Sequence, residues 1–443
     1  MIGFLRKAVA AAVAVAVASI SLTPLAEAKR VAVFTGYSGA LGVFNATTAN
    51  TASIRTAWAG VSNVEVGVSG DSTTAGQSAG VGTAQAVNSW PMQMAGVLRG
   101  MGINAGADNY FSDKGSWGLA QTIANFESGD GRVSHTGAVA LGATKAVGGN
   151  AFNWSATGTL SFTAQEPVDT FKIWWRDGAT GRNFTWQVDS GSTTQINSSN
   201  VTQLAGYNTP LSMGSLGTHT VNLAWVLGSI TIIGVEAYNS ARGKEMSLLN
   251  WGISGATSAN LIDNTDAAAG RLATIATVKP AIVLFEAGIN DWRTSVTVAA
   301  FKANVVTMVT TVLANTGVPI LVVPVFDPSA TGNAANQTQY VQALYQVASE
   351  YNVPLFDIRK LWISNANAVA LGYQPAGDVH PTTLGYGSMA VGMANMIRAI
   401  INNSFVEYDG PFAPSKPRFA TLDLLWREDV AANDNDDADR MAA

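Results

Sequence analysis

The chain has 443 residues, 47% of them hydrophobic and only 12% charged, a balance that suits a large-cored globular protein and excludes wholesale disorder. Its formal net charge of −5 gives no basic footprint for nucleic acid. Cysteine is absent, which excludes disulfides and thiolate metal sites.

Residues 1–28 read as a cleavable secretory signal peptide. Arg6 and Lys7 form its basic start, 8–20 is apolar, and Ala26-Glu27-Ala28 has the form of a cleavage site. Cleavage after Ala28 would leave a secreted or periplasmic protein beginning at Lys29. No later apolar run is long enough to span a bilayer.

Residues 64–68 alternate and end at Ser69-Gly70, the pattern of a strand running into a tight turn. Gly70-Asp71-Ser72 follows. Such a turn can present the Ser72 hydroxyl to a crevice, although the same triplet also serves as an ordinary helix cap. Residues 89–99 predict a helix capped by Ser89, with Trp90, Met94, Val97 and Leu98 on one side.

From about 104 to 242 the composition turns to Gly, Ser, Thr and Asn. Short alternating runs at 157–162, 170–175, 184–188, 219–225 and 229–238 are separated by turn signals such as Asp177-Gly178 and Asp189-Ser190-Gly191. This predicts an all-β sandwich or jelly roll. Six of the twelve tryptophans fall here: Trp117, Trp154, Trp174, Trp175, Trp186 and Trp225. Exposed, they would stack on sugar rings; buried, they would fill the sandwich core. Trp174 and Trp175 are adjacent and so point to opposite faces of a strand, and at most one is expected in the core.

After 246 the pattern switches again. Strands are expected at 246–250, 281–286, 319–325 and 354–358, with helices at 267–277, 296–314, 336–351 and 383–401. Strands alternating with helices imply an α/β fold whose mostly parallel sheet is covered on both faces. The strand at 64–68 belongs to that sheet. The domain plan is therefore a discontinuous α/β domain, 29–103 and 243–410, interrupted by an inserted β-sandwich module at 104–242. The tail at 411–443 carries Asp434, Asp436, Asp437 and Asp439 and reads as a flexible acidic end.

A serine hydroxyl needs a neighbouring base to become a nucleophile. The chain has three histidines, His135, His219 and His380. The first two lie in the β-rich block. His380 lies on a loop between Pro375-Ala376-Gly377 and the last helix, where sites on parallel sheets assemble. It is the candidate base, flanked by Asp378 as a candidate orienting carboxylate. In Gly288-Ile289-Asn290-Asp291 the Asn290 amide offers a donor to an oxyanion, or else caps a turn. The Gly-rich run Asn250-Trp251-Gly252-Ile253-Ser254-Gly255 offers backbone N–H donors, or is simply a tight strand-to-helix turn.

These blocks, in this order, resemble the SGNH (GDSL-type) hydrolase family. The resemblance covers about 60–110 and 245–403. It implies a flavodoxin-like three-layer α/β/α sandwich, with Ser72 as nucleophile and His380 as base and then acid. It also implies an oxyanion hole from the N–H groups of Ser72 and Gly255 and the side chain of Asn290, with Asp71 and Asp291 in support. No metal and no organic cofactor is implied. The family usually places its triad Asp three residues before His, where this chain has Gly377. The D-x-H spacing found here occurs in relatives that handle acetyl groups on polysaccharides. If Asp378 fails to reach the far ring nitrogen, a backbone carbonyl would orient His380 instead. The inserted block resembles carbohydrate-binding-like modules of some secreted esterases, and it accounts for the 183 positions between Ser72 and Gly255. The expected function is a secreted serine esterase acting on O-acyl, foremost O-acetyl, esters of carbohydrates. The competing expectations are a lipase or lysophospholipase, an acetyl transferase, or a non-catalytic carbohydrate-binding or adhesion protein.

Overall fold

In the computed structural model the apolar runs become the centre of a seven-stranded sheet. The residues described are 42–178, 181–199, 201–207, 215–328 and 337–404. The signal peptide and acidic-tail readings lie outside them. The strands lie in the order Val43–Phe44, Leu355–Asp357, Val318–Val323, Ile282–Glu286, Val64–Ser69, Met246–Asn250 and Ala105–Gly106. All pairings are parallel except that of the edge strand Val43–Phe44. Without the two dipeptide edges the chain order is the flavodoxin-like 2-1-3-4-5.

Ile282–Glu286 and Val318–Val323 are buried at every position, so both faces of the sheet are covered. The helices Ala52–Ala59, Trp90–Gly100 and Thr383–Ile401 pack together as one group. Ser258–Leu261, Arg271–Val278, Val298–Ala314 and Gln337–Glu350 pack as another. Thr297 and Thr382 start two of these helices by accepting from Ala300 N and Gly385 N. Ser89 stands at the expected cap position but makes no side-chain cap bond. Its hydroxyl donates to Ala86 O instead, at 2.7 Å.

Between Ala105–Gly106 and Met246–Asn250 the chain builds two antiparallel sheets. One runs Thr194–Asn197, Asn183–Val188, Thr220–Leu227, Gly158–Thr163, Val133–Gly137. The other runs Gln203–Tyr207, Thr170–Asp177, Ile230–Tyr238, Gly149–Trp154, Ala140–Ala146, with Asn109–Phe111 also paired to Ile230–Tyr238. Alternation is clean in Gly158–Thr163 and Asn183–Val188, and Leu160, Phe162, Phe184 and Trp186 enter a shared core with Phe152, Phe171, Ile173 and Trp175.

The second sheet departs from expectation. Trp174 and Trp175 are both buried, at 5% and 4% exposure. Trp175 faces the shared core, while Trp174 donates to buried Glu236 on the opposite face. That opposite face meets the α/β sheet, where Lys172 pairs with Glu65 at 3.7 Å. A strand covered on both sides has no solvent face to give either ring. Trp117, Trp154 and Trp186 are buried as well, and Trp225 is half-buried with its Nε1 donating to Gly228 O at 2.7 Å. Of the two roles open to these tryptophans, filling the interior is the one the burial supports, with Trp225 only half-buried.

Candidate active site

In an open α/β sheet the crevice forms outside the carboxyl ends of the strands where the strand order reverses. Here that point lies between Val64–Ser69 and Ile282–Glu286. Ser72 opens the short helix that follows the first, and Asn290 lies on the short helix Ile289–Arg293 that follows the second.

Asp71 accepts from Thr73 N at 2.9 Å and starts the short helix Ser72–Ala75. Ser72 is thereby held at a helix start, with its Oγ 3.0 Å from His380 Nε2. The other ring nitrogen, Nδ1, lies 2.9 Å from Asp378 Oδ1. The two-residue spacing works because Oδ1 also accepts from His380 N at 3.0 Å, closing a local turn that brings the carboxylate under its own ring. Gln374 braces the loop by donating to Asp378 O at 2.8 Å and Phe326 O at 2.6 Å. A hydroxyl, an imidazole and a carboxylate thus stand in line, the order needed to move a proton off Ser72 and stabilise it on the ring.

The donors expected for an oxyanion sit on linked segments. Asn290 Nδ2 gives one of its two hydrogens to Ala256 O at 2.9 Å, which fixes the amide plane beside Gly255. Gly255 has φ +77°, and the space where a side chain would stand is open. Asp291 is fully buried and accepts from Ser258 N and from Ser258 Oγ at 2.6 Å. Burial raises its pKa, while the Ser258 bonds pull the other way. It therefore locks the loop after Gly255 to the short helix bearing Asn290. Gly252 lies so close to the serine turn that a Cβ there would stand 2.2 Å from Ala75 N.

Several contributing residues carry no sequence signal. Glu286 was legible only as the end of an apolar strand, yet it is fully buried and accepts from the Thr73 and Thr74 hydroxyls next to Ser72. The Thr73 hydroxyl lies 2.9 Å from Asp71 Oδ1 and 2.7 Å from Glu286 Oε1, and it has one proton to give. One carboxyl must bring a proton of its own. Burial, with Glu286 beside it, accordingly pushes Asp71 up to about 7, and burial also raises Glu286. His135 and His219 pair with Glu127 and Asp189 within the β region. Among the described residues, no cluster of three or more His, Asp or Glu is placed to hold a metal ion.

Fold and site together define a class, an α/β enzyme with a serine and a histidine at the sheet's switch point. Residues 234–387 match the family model described as the GDSL-like Lipase/Acylhydrolase family. That stretch is similar to GDSL-like acylhydrolases, and the protein is an ester-hydrolysing enzyme. None of the curated proteins compared with it matches in sequence. Among solved structures it is similar to a peptidoglycan O-acetylesterase, with 14% identity and a TM-score of 0.59 over 81% of this chain and 97% of that one. It also matches an acetylxylan esterase, Axe2, from Geobacillus stearothermophilus, with 22% identity and a TM-score of 0.29 over 34% and 73%. A third match is a family two carbohydrate esterase with a carbohydrate-binding domain from Corynascus, at 16% identity and a TM-score of 0.29 over 61% and 99%. At these identities the first shows a shared fold, and the other two overlap too little to bear on it. No helix among the described residues is long and apolar enough to cross a membrane.

Proposed function

We propose that the protein is an exported serine esterase that removes O-acyl groups, foremost O-acetyl, from carbohydrates. The observation that carries this reading is the alignment of Ser72 Oγ, His380 and Asp378 at 3.0 and 2.9 Å. His380 Nε2 takes the Ser72 proton as Oγ attacks the ester carbonyl. Charge builds on the carbonyl oxygen, which faces the Ser72 and Gly255 N–H groups and the second hydrogen of Asn290 Nδ2. The imidazolium, held by Asp378, then gives its proton to the departing sugar oxygen, which leaves as a hydroxyl. The acyl group stays on Ser72 as an ester, until a water deprotonated by His380 releases it as a carboxylic acid. Asp71 and Asp291 act through the loops they fix.

The likeness in fold to a peptidoglycan O-acetylesterase over 81% of this chain supports acetyl as the acyl group, as does the D-x-H loop. We read 29–103 with 243–410 as the hydrolase domain and 104–242 as an insertion into it. The test is acetate release from O-acetylated glycans, with Ser72→Ala as control and p-nitrophenyl esters of increasing chain length in parallel. Release by the parent and not by Ser72→Ala, with acetyl preferred over long chains, supports the reading. Preference for long chains points to a lipase.

A further inference from the structure

Residues Lys114, Gly115, Ser116 and Trp117 all have positive φ, at 54°, 63°, 45° and 59°. Only Gly115 takes this region freely; L-residues such as the other three visit it singly, because each Cβ crowds the following carbonyl. Such a turn persists only where its surroundings over-determine it, and strain of this kind collects at functional sites.

Both ends of the turn are fixed. On one side it is fastened to the β region. Lys114 N donates to Gly148 O at 2.9 Å, and fully buried Asp113 accepts from Gly115 N at 3.1 Å and Asn150 N at 2.7 Å. Trp117 Nε1 donates to Phe126 O at 3.1 Å. On the other side it grips the loop Asn250–Gly255. Lys114 Nζ donates to Asn250 O and lies 3.3 Å from Asn250 Oδ1. Lys114 O accepts from Ser254 N at 3.0 Å. Gly115 packs so tightly there that a Cβ would stand 2.7 Å from Ser254 O. Asn250 in turn donates to Thr74 O at 3.2 Å, on the serine helix, and accepts from Gly252 N at 3.0 Å.

We propose that this left-handed turn is a positioning device for the oxyanion loop, with Lys114 as the positioning residue through which the β region sets the Gly255 N–H. The inference rests on the esterase reading above. Lys114 is 3% exposed, and burial holds its ammonium down to about 7, a cost that an anchoring lysine alone on the surface would not bear. Its hydrogen bonds go to the last residue of the strand before the loop and, through its own carbonyl, to the residue immediately before Gly255. Both flanks of the loop are therefore referenced to one residue of the β region.

The test is kinetic, on the full chain. Lys114→Met keeps an unbranched side chain one atom shorter and removes its donors. It should lower kcat for p-nitrophenyl acetate roughly 10–100-fold, less than the roughly 10²–10³ lost when an oxyanion donor is removed outright, with KM little changed. A boronic acid that mimics the tetrahedral intermediate should bind weaker by the same factor, and the pH limb reporting His380 should stay in place. A merely structural lysine would lower the melting temperature without moving kcat or boronate affinity. If Lys114→Met does not fold, Gly115→Ala decides, since it keeps the lysine and presses on Ser254 O. A folded variant with kcat and boronate affinity within twofold of the parent overturns the proposal. Parent enzyme that hydrolyses no ester overturns the underlying reading instead, and Ser72→Ala distinguishes the two.

Discussion

Asp378 is the residue whose removal reports most on how this site handles charge. Its carboxylate touches the ring at 2.9 Å but its side chain is 45% exposed, whereas His380 is 16% exposed. When His380 takes the serine proton, the imidazolium gains an attraction that depends on how much water lies between. At about 4 Å between charge centres this is roughly 1 kcal/mol in water and about 4 kcal/mol near a protein surface. A half-exposed carboxylate falls between these limits. Asp378→Ala should therefore reduce kcat/KM by about 5-fold to about 10³-fold, with each factor of ten worth about 1.4 kcal/mol. The variant also loses the bond to His380 N, so part of the loss is orientational. The assay is p-nitrophenyl acetate hydrolysis at pH 7–8, at low and at high salt. Because the carboxylate is wet, the parent should lose more activity at high salt than the variant does. A kcat/KM within threefold of the parent would refute the reasoning and leave a Ser72–His380 dyad.

Other expectations follow from neighbouring contacts. Asn290→Ala should lower kcat by about 10²–10³ with a small change in KM, read in the same assay. Trp175→Ala should cost about 3–5 kcal/mol in urea unfolding, because the ring lies in the core shared by the two β sheets. Glu65 gives a pH-dependent stability. Burial, with Glu236 beside it, pushes its pKa from 4.5 up to about 8, although Lys172 pulls it back. The folded protein therefore holds a proton that the unfolded chain releases between these values, and stability falls as pH rises through that window. Melting temperatures at pH 5 and pH 8 should show the drop, and Glu65→Gln, neutral throughout, should flatten it.

The sheet was legible because parallel strands buried on both faces read as apolar runs, as Ile282–Glu286 does. Their boundaries were less so: the helix expected from 267 begins at Arg271, after a turn built by Asp266 accepting from Ala268 N and Ala269 N. The short polar blocks around Ser72, Asn290 and His380 were visible since each interrupts an apolar pattern. The two-residue step from Asp378 to His380 looked irregular in sequence, because sequence does not show that one carboxylate oxygen can cap a backbone N–H and meet the ring together. Trp174 and Trp175 face opposite sides and only Trp175 enters the shared core, but the burial of Trp174 did not show, because period-two alternation assigns one face to solvent and here the α/β sheet covers it. Lys114 left no trace, and Glu286 showed only as the end of a strand. Lys114 acts on Asn250 across 136 positions, and Glu286 becomes a partner of Asp71 only when two strands lie side by side.

The central claim is that Ser72 is the nucleophile, and covalent capture tests it most directly. A fluorophosphonate probe should attach to the parent protein at the peptide carrying Ser72, stop ester hydrolysis in proportion to labelling, and leave Ser72→Ala unmodified. Labelling at another serine, or full hydrolysis by Ser72→Ala, would contradict the account.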